Sequence, residues 1–203
     1  MNDPRDQALY NTCPLHPAPR FRRLEPLEQT GRRLIAGEDG IYIEAKSDYL
    51  HACLKLVDLR TPYGPVEEFI TLKNGKVPSQ ILQQFVLRAC EASPSEAAAI
   101  IEPSGSGYIA TAPKVISSDR AHIQYADVEF EHIVIDIHSH GLADAYFSAT
   151  DDASDLSRFG PYIAVVVGNC RDYHSTRWAA RFVCGPYLIN LDVKGALLRS
   201  VIG

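Results

Sequence analysis

The sequence predicts an α/β fold of the α+β kind, with a small β-rich amino-terminal domain followed by a larger domain of interleaved strands and helices. Three observations predict it. Residues 32–56 break into short β-prone runs separated by turn residues. Residues 78–92 repeat apolar side chains at helical spacing, and the apolar run 132–137 (HIVIDI) ends on His138-Ser139-His140. With 203 residues, 46% of them hydrophobic and 22% charged, the chain can bury a sizeable core.

Residues 1–30 carry Pro4, Pro14, Pro17, Pro19 and Pro26 with little periodicity, and read as an extended or flexible lead-in. Residues 31–77 form the β-rich domain, with strands over 32–35, 40–45 and 49–56 and a turn at Gly37–Gly40. The larger domain spans 78–203. Pro78 suits a first helical position, and Ile81, Leu82, Phe85, Val86, Ala89 and Cys90 make one face of a helix. That helix stops near Ser93-Pro94, because the residue before a proline is pushed out of helical geometry. Residues 96–101 suit a buried strand, although three alanines also allow a helix. Strands are expected at 108–112, 121–125, 132–137, 162–167, 176–184 and 187–191, and helices at 151–159 and 193–201.

A net charge of −5 argues against a nucleic-acid surface, since phosphate binding rests on clustered Lys and Arg and nothing aromatic interleaves with Arg20, Arg22, Arg23, Arg32 and Arg33. No apolar run approaches the roughly 18–20 residues of a membrane span, and the first residues lack the pattern of a secretion signal, so a cytoplasmic protein is expected. The five cysteines, at 13, 53, 90, 170 and 184, are scattered and odd in number. They read as buried structural thiols rather than as a disulfide framework or a cysteine zinc site.

The chemistry concentrates in HSHGLADAYFSATD, His138 to Asp151. Alternate strand residues point to the same side about 6.6 Å apart, so His138 and His140 can face one metal while Ser139 turns away. The connection through Gly141 can return Asp151 as a third ligand and leave the fourth position of a zinc ion open, the arrangement of a hydrolytic centre. Hydrolysis also needs a carboxylate to move a proton and a donor for the oxyanion. Ser148 is placed to be the donor, with a helix-capping role as the alternative. Among the glutamates, Glu131 lies roughly 23 Å back along the strand and is too far. Glu91 and Glu102 stay open. Glu96 is favoured, because a carboxylate opening an apolar strand needs a reason to be there. Asp136 shares the histidines' face as an orienting partner or a rival ligand. His16, His51, His122, His132 and His174 have no partner spacing.

Taken with Pro94-Ser95-Glu96 at the end of a helix, His138-Ser139-His140 and Ser148-Ala149-Thr150-Asp151 resemble the JAB/MPN (JAMM) metalloprotease family over about residues 78–203. The resemblance implies a cytidine-deaminase-like mixed sheet flanked by helices. It also implies Zn2+ on His138, His140 and Asp151, with Glu96 as general acid/base and Ser148 stabilising the oxyanion. The activity implied is cleavage of a peptide or isopeptide bond at the carboxyl terminus of a ubiquitin-like or sulfur-carrier-like protein, and the alternative is a non-catalytic MPN-type assembly module. Gly141 departs from the proline that many members carry there. The extra amino-terminal region resembles that of the protein A family of the PRTRC cassette. That likeness implies a ThiF-like (E1-like) adenylating protein and a ubiquitin-like protein as partners. A zinc deaminase is disfavoured, since the chain has neither His-x-Glu nor Pro-Cys-x-x-Cys.

Overall fold

A computed structural model describes residues 3–113, 115–119, 122–125, 132–158 and 160–203, with backbone alone described within 115–125. The chain divides into two compact units, one up to Thr71 and one from Leu72. No described helix is long and apolar enough to cross a membrane.

The first unit is a five-stranded sheet in the order β1 (Leu15–Pro17), β2 (Gly31–Ala36), β3 (Gly40–Lys46), β4 (Leu50–Asp58), β5 (Phe69–Leu72), with helix α1 (Pro4–Thr12) before it. The proline-rich lead-in is therefore more regular than its sequence suggests. Asp3 caps α1 by accepting from Arg5 N, Pro4 sits where its missing N–H costs nothing, and β1 pairs in parallel with β2. No residue of α1 is buried, so the helix has no apolar stripe to betray it.

Glu44 on β3 is 2% exposed and accepts from Leu27 N at 2.9 Å, Arg33 Nε at 2.6 Å and His51 Nε2 at 2.8 Å. Burial pushes its pKa upward, but His51, the Leu27 amide and Arg33 outweigh that and hold it below the ordinary value. A depressed folded-state pKa contributes stability above the unfolded value of about 4.3 and loses it as pH falls through the folded value. Unfolding of wild type and Glu44→Gln at pH 7 and pH 3 is expected to show a deficit of about 1–3 kcal/mol at pH 7 that shrinks at pH 3.

The second unit holds a six-stranded mixed sheet in the order β13 (Tyr187–Leu191), β12 (Arg177–Cys184), β11 (Tyr162–Gly168), β10 (Ile135–Ser139), β6 (Ala98–Ser104), β7 (Gly107–Thr111). β10 and β11 are parallel and the other pairs antiparallel. A separate hairpin joins β8 (Val115–Asp119) and β9 (His122–Tyr125). Helix α2 (Ser79–Ala92) buries Leu82, Phe85, Val86 and Ala89 and packs against β6. Helix α3 (Ala149–Ser157) packs on β12 and β13, and α4 (Ala196–Val201) ends the chain.

Residues 98–104 settle the strand-or-helix ambiguity as strand, leaving Glu96 two residues before its start. The central strand starts three residues later than its apolar run, so His138 lies inside it. Ile133 and Val134 are buried regardless, and apolar periodicity could not mark the boundary.

Candidate metal centre

Strand pairing brings the site together. β10 aligns His138 with Ala98 of β6 and Val166 of β11, and side chains in register share a face of the sheet. Asp136, His138, Ala164 and Arg181 therefore occupy one face, and α3 lies over it. Ser139 points to the other face, where its Oγ accepts from Ala97 N at 2.9 Å while its own N–H donates to Ala97 O at 2.8 Å. These two bonds fasten the segment after α2 to the histidine strand. Gly141 fits that packing on two counts. Its φ is +54°, and an added Cβ would stand 2.4 Å from Pro94 O. Proline, with φ fixed near −65°, cannot take this position.

Asp151 reaches the histidines from the first turn of α3. His138 Nε2 lies 3.2 Å from His140 Nε2 and 3.2 Å from Asp151 Oδ1, and His140 Nε2 lies 3.6 Å from Asp151 Oδ2. Ligand atoms about 2.0–2.1 Å from a zinc ion stand about 3.3–3.4 Å apart at tetrahedral corners, close to the spacing of His138 Nε2 from His140 Nε2 and from Asp151 Oδ1, while His140 faces the other carboxylate oxygen, Asp151 Oδ2. Side-chain exposures of 17%, 8% and 18% for His138, His140 and Asp151 leave the cluster open to small molecules. They form the metal-competent group of His, Cys and acidic side chains among the described residues.

Ser148 is the N-cap of α3. Its Oγ accepts from Asp151 N at 3.2 Å and donates to Asp151 Oδ2 at 2.7 Å, and its N–H also donates to Oδ2 at 2.7 Å. The serine thus fixes the Asp151 carboxylate through a capping box. Burial raises the Asp151 pKa, but bonds from His138, His140 and Ser148 overcome it and hold the group far below the usual carboxylate range. For His138, burial favours the neutral ring, yet Asp151, with further pull from Asp136 and Glu96, raises its pKa overall.

That pull locates Glu96 near the cluster. Glu96 is half-buried two residues before β6, next to Ala97, whose N–H donates to Ser139 Oγ between the two histidines. Glu102 lies four residues beyond Ala98, about 13 Å along β6, and Glu91 is exposed on α2 beside Tyr108 and Ile109. Glu131 lies outside the described residues. Asp136 turns to an ion pair with Arg158 at the C-cap of α3, rather than to an imidazole or into the donor cluster. His51 belongs to the Glu44 cluster, while His16, His132 and His174 are exposed.

Several neighbours escape a reading by spacing. The Tyr146 ring meets His140 edge-on, with centroids 4.9 Å apart. Arg181, 3% exposed, pairs with Asp152 and Asp155 and lies 3.8 Å over the Phe147 ring, and Tyr162 donates to Asp155 at 2.6 Å. The sequence signal was an arginine in the otherwise apolar run 178–184 of β12, which needs a buried partner.

Comparison with known families gives two matches. Residues 3–73 match DUF2016, a domain of unknown function, and residues 78–181 match the prokaryotic homologues of the JAB domain. No curated protein matches the chain. The second match contains Glu96, both histidines, Ser148 and Asp151. As it spans more than half of the chain and coincides with the mixed sheet that assembles them, the protein belongs to the prokaryotic homologues of the JAB domain.

Proposed function

We propose that the chain is a JAMM-type zinc peptidase that hydrolyses a peptide or isopeptide bond at the carboxyl terminus of a ubiquitin-like or sulfur-carrier-like protein. The observation that carries this reading is the grouping of His138, His140 and Asp151, whose ligand atoms lie within 4.8 Å of one another, with a half-buried glutamate near it. Bound there, zinc supplies Lewis acidity toward a carbonyl and an acidified water.

The chain's own groups divide the remaining work. Glu96 takes the proton of the attacking water and returns it to the leaving amine. Ser148 donates its hydroxyl to the developing oxyanion, and the Ser148 N–H keeps hold of Asp151 Oδ2 when the hydroxyl turns away. Tyr146 walls one side of His140 and limits water there. A ThiF-like adenylating protein acting on the same ubiquitin-like partner, in the cytoplasm, completes the proposal.

The test is incubation of the zinc-loaded chain with a ubiquitin-like protein carrying a carboxy-terminal extension, followed by mass analysis. A single cut at the junction is expected, lost in Glu96→Ala. Intact fusion with wild type, or equal cleavage by Glu96→Ala, overturns the reading in favour of an assembly module.

A further inference from the structure

We propose that the open edge of β12 captures an extended, acidic polypeptide segment by strand addition. β13 ends at Leu191, opposite Ala180, so Arg177, Trp178 and Ala179 have a strand neighbour on one side only. The turn Asp192–Gly195 that follows closes on itself, through Gly195 N to Asp192 O and Lys194 N to Asp192 Oδ1. It makes no backbone hydrogen bond to those three residues. Unpaired strand backbone of this kind is a template for a further strand, whose main chain gives affinity while alternate side chains enter pockets on the two faces.

Both pockets are present, and Trp178 and Val193 border each. On the face of the metal donors, a cavity of about 670 Å³ is walled by Tyr146, Phe147, Ala179 and Leu188. Ala179 aligns through Val166 with His138, so a strand added outside β12 stands three strand spacings, about 14 Å, from His138, within reach of about five extended residues. On the opposite face a cavity of about 540 Å³ has Leu82, Trp178 and Leu198 for walls and Lys194 and Arg199 at its rim, and Arg177, at the open end of β12 and in the register of the metal face, also borders it. All three cations are exposed, none pairs with a described carboxylate, and no acid lines this cavity. The first cavity includes Asp152 and Asp192. The matching segment alternates apolar side chains toward the metal face with carboxylates toward the cationic face. That the captured segment is the substrate's own tail rests on the hydrolase reading; the capture itself does not.

Trp178 is the single tryptophan, so its emission reports on this edge. The full-length chain, without zinc, is titrated with an acetylated and amidated hexapeptide of alternating valine and glutamate. A saturable emission change is expected. Binding weakens by roughly tenfold or more for the valine–lysine hexapeptide, for the first peptide N-methylated on alternate residues, and for Arg177→Glu combined with Arg199→Glu. Absence of saturable change up to millimolar peptide overturns the inference. So does equal binding of the lysine peptide, the N-methylated peptide or the charge-reversed variant. Binding without any cleavage activity sinks the hydrolase reading and leaves the capture site; cleavage without binding does the reverse.

Discussion

Replacing His138 and His140 together by alanine is expected to take the zinc content of protein purified without chelator from about one ion per chain to below about a tenth. The two imidazoles supply two corners of the donor triangle, and Asp151 alone is a single carboxylate on a surface open to water. Zinc that binds only the native state stabilises it by about 4 kcal/mol at a thousandfold excess over Kd. Added zinc should therefore raise the thermal midpoint of wild type and leave the double variant unmoved. Asp151→Asn separates ligation from capping, since an amide oxygen still accepts from the Ser148 N–H and retains the helix start. It should fold as wild type does and lose most of its zinc affinity. Undiminished zinc in the double histidine variant sinks the assignment of the centre.

Much of that centre is legible in the sequence because it depends on local geometry. A two-residue period puts His138 and His140 on one face, and an acidic first turn after a serine marks the helix start that carries Asp151. Glu96 is legible as a carboxylate out of place, but what brings it to the histidines is not. Its position follows from the pairing of Ala98 with His138 and the bonds of Ser139 to Ala97, contacts across about forty residues that no local period encodes. Ser148 shows both halves at once. The capping geometry expected of a serine before a helix is present, and the same hydroxyl holds the Asp151 carboxylate. The exposed helix α1 lay beyond reach because a short helix without a buried face leaves no pattern to find.

The second large effect is expected from Arg181, whose loss should destabilise the carboxy-terminal unit by about 3–5 kcal/mol in Arg181→Ala. The guanidinium is nearly inaccessible and joins Asp152 and Asp155 of α3 to β12, while Phe147 stacks on it. Removing it strands the buried Asp155 carboxylate, whose pKa burial already raises despite Tyr162 and Arg181. Urea unfolding followed by Trp178 emission isolates this unit, because the single tryptophan lies within it. Arg181→Met combined with Asp155→Asn should recover a large part of the loss, since the uncompensated charge is gone and Tyr162 keeps an acceptor. Zinc affinity then reveals what the ion pairs add beyond stability. Asp151 is held at its amino side by Ser148 and along the helix by Arg181 and by Arg158, which pairs with Asp136 on the histidine strand. If that bracing positions the third ligand, the double variant recovers its fold and still binds zinc more weakly than wild type.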